Sequence, residues 1–162
     1  MPRLDIEQPL VPSVLDRLVD LEPKISTEPP ASRSRSLVQV KDAVKRDLEW
    51  LLNSKQTLGA VTGLPHLDAS AWSYGLPDLS ASSLTSAVDR ERLRLAIDAA
   101  IRRYEPRLQG VEVTQVEARA SDRSIRFRID AMLRVDPAPE PVTFDSMLQL
   151  TTKAFHVRGD GE

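Results

Sequence analysis

The chain has no cysteine, only two histidines, no long apolar run and no excess of charge of either sign. Without thiols there are no disulfides, thiolate zinc sites or cysteine nucleophiles, a composition suited to a reducing compartment. His66 and His156 lie far apart in sequence, and neither has a metal-ligating neighbour at the usual spacing, so no metal centre is expected. The six glycines form no G-x-x-x-x-G-K phosphate loop, and no serine sits in a nucleophile elbow. No segment approaches the roughly 20 apolar residues of a membrane span, and the N-terminus lacks the basic-then-apolar order of a signal peptide. A cytoplasmic location without membrane insertion is the expectation. Twenty-two lysines and arginines face 24 aspartates and glutamates, so no overall field draws in nucleic acid or an anionic membrane. Neither a nucleic-acid partner nor a cofactor is expected.

What is present fits one globular domain with an appended arm. The chain has 162 residues, of which 41% are hydrophobic, enough for a substantial core. Residues 89–108 carry the strongest pattern. Leu93, Ala96, Ile97, Ala100, Ile101 and Tyr104 recur at three- and four-residue steps, while Arg90, Arg94, Asp98 and Arg102 take the other side of the same helix. Pro106 disfavours helical geometry at Glu105, so this helix should stop there. A carboxylate and a guanidinium, Glu105 and Arg107, then flank a stiff corner.

Upstream, Ser13 and Asp16 have capping-box spacing before a small apolar stripe of Leu15, Leu18 and Val19. A helix this short needs something to dock on, either its own domain or a partner. Residues 22–35, with Pro23, Pro29, Pro30 and several serines, read as an extended linker. This divides the chain into a short helix with its linker, residues 1–35, and a main domain, residues 36–162. In the latter, Ser36 and Gln39 form a second capping box, and Leu37, Val40, Val44, Leu48, Leu51 and Leu52 follow the helical period. Asp42–Arg46 and Lys45–Glu49 have i,i+4 spacing on the wet side.

Residues 53–83 lack a strong period yet contain Leu58, Leu64, Leu67, Trp72, Tyr74, Leu76 and Leu79. So long a connection in a small domain is either functional or packed as an arm across the core. Within it, Tyr74-Gly75-Leu76-Pro77-Asp78 pairs a glycine able to go left-handed with a proline that stops a helix.

The last third alternates. Val111 and Val113 share one parity and Val116, Ala118 and Ala120 the other, which predicts a strand over residues 111–120 with a bulge near Thr114 and Gln115. Ile125, Phe127, Ile129, Ala131, Leu133 and Val135 alternate with Arg126, Arg128, Asp130 and Arg134, the pattern of a half-buried antiparallel strand. The arginines read as a mixed, solvated face because acids interleave with them. Val142, Phe144, Ser146, Leu148 and Leu150 resume the alternation, and Phe155 and Val157 sit on the other parity after a second expected bulge. The fold class is therefore α+β: two main helices on a small antiparallel meander of three to four strands, with a short N-terminal helix on a linker. An open sheet of this kind has two edges, each a site where another chain can add a strand unless covered.

One catalytic reading exists, a hydrolase with Glu105 as general acid and Asp130 or Glu112 as its partner. Against it, a glutamate beside Arg107 is held ionised and makes a poor acid. The ion pair is the simpler interpretation.

Several motifs in one order then coincide: Ser13-Val14-Leu15-Asp16-Arg17-Leu18, Lys45-Arg46-Asp47-Leu48-Glu49-Trp50-Leu51-Leu52-Asn53, Tyr74-Gly75-Leu76-Pro77-Asp78, Glu105-Pro106-Arg107-Leu108 and Phe144-Asp145. Together they resemble the TssE-type baseplate subunits of bacterial type VI secretion systems, kin of the small wedge proteins of contractile phage tails that are often labelled lysozyme-like. The resemblance implies a non-enzymatic part of a membrane-docked cytoplasmic baseplate. It implies TssF- and TssG-type subunits as direct partners, a TssK-type subunit in the same assembly and a TssB/TssC-type sheath started by strand addition. It makes Glu105, Pro106 and Arg107 the wedge contact, and Leu15, Leu18, Tyr74 and Leu76 the further partner-binding candidates. The competing expectation is a muramidase-like peptidoglycan hydrolase using Glu105.

Overall fold

Ser32, four residues before the expected cap Ser36, opens the first long helix. In the computed structural model, which describes residues 10, 13–18, 32–56, 70–78, 86–116 and 123–159, its Oγ accepts the Arg35 N–H, and the helix runs over Arg33–Asn53. Ser36 instead lies inside the first turn, 1% exposed, with its hydroxyl donating to the Ser32 carbonyl. The helical period predicted the face correctly, but of two serines with capping potential the earlier one takes the role.

We number the elements in chain order. A short helix α1, Val14–Leu18, precedes α2, Arg33–Asn53; a 3-10 turn, Ala71–Ser73, follows; α3 is Ala87–Tyr104. Four strands follow among the described residues: β1, Leu108–Val116; β2, Ser124–Leu133; β3, Glu140–Gln149; and β4, Phe155–Gly159. They form one antiparallel sheet in the order β1-β2-β3-β4, so β1 and β4 are the outer strands. Helix α3 packs on β1 and α2 on β4, and the two helices touch over the middle of the sheet. This is the α+β architecture expected from the alternation and the two helical periods.

The core lies between helices and sheet. Val44, Leu48, Leu51 and Leu52 of α2 and Leu93, Ile97, Ala100 and Ile101 of α3 meet Phe127, Ile129, Leu133, Phe144, Leu148 and Phe155. Each large aliphatic or aromatic side chain removed from water here contributes about 1.5–3 kcal/mol. Leu76 belongs to this core as well, since Gly75 lets its strand segment come down against the end of α2. Gly75 has φ +104, and a Cβ there would run into the Ser54 carbonyl. Backbone bonds from Leu76 N to Ser54 O and from Gln56 N to Leu76 O complete the junction, each 2.9 Å.

Two details of the sheet differ from expectation. The register slip in β1 lies between Gln109 and Glu112, where Gly110 has φ +58, and not at Thr114 and Gln115. Glycine takes that angle at least cost, and the chain bulges at Gly110 before the valine alternation begins. The strand also starts earlier, at Leu108, and the expected residues 117–120 lie outside the described ones. The parity change before Phe155 is a reversal of direction, not a bulge: residues 150–154 turn the chain through Lys153 at φ 55, and β4 pairs back on β3. Leu58, Leu64, Leu67 and Leu79 of the long connection also lie outside the described residues.

Candidate functional site

Pro106 ends α3 at Tyr104, leaving Glu105 as the C-cap with φ −118 and ψ 80. That geometry turns the Glu105 side chain inward, where it is only 4% exposed. Arg107 meets it with a two-point clasp: Nε donates to Oε1 at 2.6 Å and Nη2 to Oε2 at 2.5 Å, while the Arg107 N–H also donates to Oε1 at 3.2 Å. Parallel bonds of this kind are the stronger class of charge-assisted hydrogen bond. The same Nη2 reaches Asp47 Oδ2 of α2 at 2.5 Å. The corner therefore ties the α3–β1 junction to the middle of α2. Hydrogen bonding to Glu105 first and to Asp47 next outweighs burial and raises Arg107 above its ordinary value, so it stays charged.

The charges continue outward. Asp47 Oδ1 accepts from Arg46 Nε at 3.1 Å and Nη2 at 3.0 Å, and Arg46 Nη2 donates to Asp16 Oδ1 of α1 at 2.7 Å. The order Glu105, Arg107, Asp47, Arg46, Asp16 is an alternating ladder with its acidic ends on the corner and on α1. Burial alone would raise the Asp16 carboxyl, but bonds from Ser13 and Arg46 prevail and hold it below the ordinary range. Ser13 closes the predicted capping box, with the Asp16 N–H donating to its Oγ at 3.2 Å and its hydroxyl donating to Asp16 Oδ2 at 2.6 Å. Arg46 is thus turned to Asp16 and Asp47, not toward Asp42 as the helix spacing implied. Its guanidinium also stacks 5.1 Å from the ring centre of Trp50.

A groove of about 360 Å³ opens beside the corner, lined by Leu15, Leu51, Tyr74, Tyr104, Glu105 and Arg107 among others. Tyr74 and Tyr104 meet edge to face at 5.2 Å between ring centres, and the Tyr104 hydroxyl donates to the Ser70 carbonyl at 3.2 Å. Burial, with Asp47 and Glu105 as nearby negative charges, raises the Tyr74 phenol above its ordinary value. This environment keeps that phenol neutral.

The expected partner-binding residues thus divide. Leu15 and Leu18 are exposed on α1, which buries none of its residues, and Pro106 is exposed at the corner. Tyr74 is half-buried in the groove wall. Leu76, at 2% exposure, turns its side chain into the core, which removes it from any surface contact. Glu105 and Arg107 pair with one another inside this chain. Both Glu105 oxygens face Arg107, and Asp47, a second carboxylate lining the same groove, is joined to the same guanidinium. Asp130 is held by Thr143 Oγ1 at 2.7 Å on the outer face of the sheet. No cluster of three or more metal-ligating side chains occurs among the described residues.

Sequence reasoning missed the groups at the sheet edges. Arg94 and Arg102, read as the wet side of α3, donate to β1 carbonyls: Arg94 Nη1 to Val113 at 3.0 Å, and Arg102 Nη2 to Val111. On the opposite edge Asn53 grips Phe155 at both backbone groups, its Nδ2 donating to the carbonyl and its Oδ1 accepting the N–H, each at 2.9 Å. Helical period cannot distinguish an arginine in water from one that wraps onto a neighbouring strand. The acid one turn before each arginine, Glu91 and Asp98, is equally the mark of a solvated helix pair.

The fold is an α+β assembly domain with a buried charged corner and two side-chain-clasped edges. The family model described as "Baseplate wedge protein gp25" matches residues 38–138, more than half of the chain, and the chain belongs to that family. The matched span includes Tyr74, Leu76, Glu105, Pro106 and Arg107; Leu15 and Leu18 lie before it and β3 and β4 beyond it. Membership carries a structural role in a baseplate, in assembly with other baseplate subunits. No curated protein and no solved structure matches the chain significantly. No helix among the described residues is long and apolar enough to cross a membrane.

Proposed function

We propose that this chain is the TssE-type wedge subunit of a type VI secretion baseplate, acting without enzymatic chemistry. It binds TssF- and TssG-type subunits, sits in one assembly with a TssK-type subunit, and starts a TssB/TssC-type sheath by strand addition in a cytoplasmic, membrane-docked particle. The observation that carries the reading is the corner within the family-matched span: both oxygens of Glu105 are held by Arg107, which leaves neither free to protonate a leaving group. What such a corner offers is rigidity, with Pro106 displayed at its tip beside an apolar groove.

The exposed apolar residues nearby fit the same use. Val14 and Leu18 of α1 are 73% and 77% exposed, and Trp50, against Arg46, is 54% exposed. Large side chains left in water together mark a surface that a partner covers. The test is co-purification of the tagged full chain with TssF- and TssG-type subunits expressed beside it. A stoichiometric complex, reduced by Leu18→Asp or Trp50→Ala in a folded chain, is the expected result. A folded chain that emerges alone, and that cleaves peptidoglycan unless Glu105→Gln is introduced, overturns the reading in favour of the hydrolase.

A further inference from the structure

An outer strand offers a row of unpaired backbone groups to any extended chain, and folded proteins blunt that row with charge, bulges or covering elements. On β1 the covering comes from two arginines of α3. Arg94 donates to the Val113 carbonyl and Arg102 to the Val111 carbonyl. Each guanidinium is held on its other side by an acid one turn earlier. Arg94 Nε and Nη2 reach Glu91 at 2.9 and 2.7 Å, and Arg102 Nε and Nη2 reach Asp98 at 2.7 and 3.1 Å. The arrangement acid, arginine, strand carbonyl occurs twice, in the order an antiparallel helix and strand require: the earlier arginine meets the later valine. The bulge at Gly110 further distorts this edge.

The opposite edge is closed differently. Phe155, at the start of β4, is gripped by the neutral amide of Asn53. The Ala154 carbonyl takes the Gln149 N–H, so alternate residues of β4 turn their backbone toward β3, and Phe155, Val157 and Gly159 turn theirs outward. On β1 both arginines that reach strand carbonyls are themselves ion-paired, to Glu91 and Asp98.

We propose that Arg94 and Arg102 are edge guards that keep β1 from accepting a strand of a second copy of this chain. They hold the β1 carbonyls, and their paired acids hold the guanidinium forks in place. The proposal concerns the isolated protein and does not need the baseplate reading. It is tested with the full chain carrying Arg94→Ala and Arg102→Ala together, compared with the parent by sedimentation velocity over rising concentration, with circular dichroism to confirm the fold. A second pair, Arg92→Ala with Arg103→Ala, removes the same charge from exposed positions of the helix and serves as the control.

The expected result is self-association of the guard variant tightened roughly tenfold or more, the scale of freeing one or two backbone pairs. Slowed amide exchange within β1 should accompany it, and the control pair should behave like the parent. A folded guard variant that stays as dispersed as the parent, or a control pair that associates equally, overturns the proposal. If the double variant fails to fold, Arg94→Ala and Arg102→Ala singly decide the matter: intermediate association supports the guards, and parental behaviour of both folded singles refutes them.

Discussion

The two ends of the charge ladder use the same chemistry and do opposite work. At the inner end, Glu105 is 4% exposed and Arg107 is fixed by two carboxylates from different parts of the chain. At the outer end, Arg46 joins Asp16 of a five-residue helix that buries none of its own side chains. A buried pair broken on one side leaves an uncompensated charge; the outer pair is itself part-buried, with the Arg46 and Asp16 side chains 31% and 15% exposed, but it holds only α1. The inner end therefore joins α2 to the α3–β1 corner, and the outer end tethers a helix that has no buried residue of its own. The motif that a reader of the sequence would assign to binding is, in its charged atoms, already satisfied within the chain.

The largest expected effect is from Arg107→Glu. It places a third carboxylate beside Glu105 and Asp47 and should destabilise the isolated domain by about 3–5 kcal/mol, the usual cost of breaking a buried pair. Urea unfolding reads this directly; a loss under about 0.5 kcal/mol, the scale of an ordinary surface change, would place the corner outside the fold's energetics. Charge reversal at Arg107 is for the same reason a poor probe of partner binding, since lost assembly and lost fold coincide. Next comes Asp47→Asn, which weakens both arginines at once. A drop of about 1–3 kcal/mol is expected, with α2 still helical by circular dichroism.

The outer end should respond far less. Asp16→Ala removes one part-buried contact with Arg46 at a cost of about 1 kcal/mol, while the tryptophan emission changes because Arg46 stacks on Trp50. A shift in unfolding as large as that of Asp47→Asn would erase the contrast between the ends. Acid should reproduce the release of α1. The Asp16 carboxyl is held below its ordinary 3.8 in the fold, so its contribution is present above that value and is lost as pH falls through the lowered one. Emission that moves well above pH 3.8 would assign the change to another group. Smallest in stability is Leu18→Asp: at 77% exposure it should leave unfolding within about 0.5 kcal/mol while reducing co-purification with wedge subunits.

Much of this was legible because burial writes itself as periodicity. The alternation from Ile125 to Leu133 and from Val142 to Leu148 appears unchanged as the inner face of β2 and β3, and the α3 stripe of Leu93, Ile97, Ala100 and Ile101 is buried as its spacing required. Pro106 ended its helix at the residue steric reasoning named. What escaped were choices between local alternatives: which serine caps α2, where β1 takes up its slip, whether a parity change is a bulge or a turn. Each depends on contacts remote in sequence. The site was legible in its residues but not in its pairing, since spacing placed Glu105 near Arg107 and gave no hint of Asp47, 60 positions away. The edge arginines escaped because a carbonyl of another element leaves no mark in the pattern of a helix.

A double-mutant cycle in equilibrium unfolding, with Glu105→Gln, Arg107→Met and the two combined, tests most directly whether the corner is satisfied within the chain. Strong non-additivity is predicted, with a coupling of about 1–3 kcal/mol between the two positions, as for residues sharing one buried network. Effects that simply add would mean that Glu105 and Arg107 do not hold each other in the free protein, and would return both to the surface as groups awaiting a partner or a substrate.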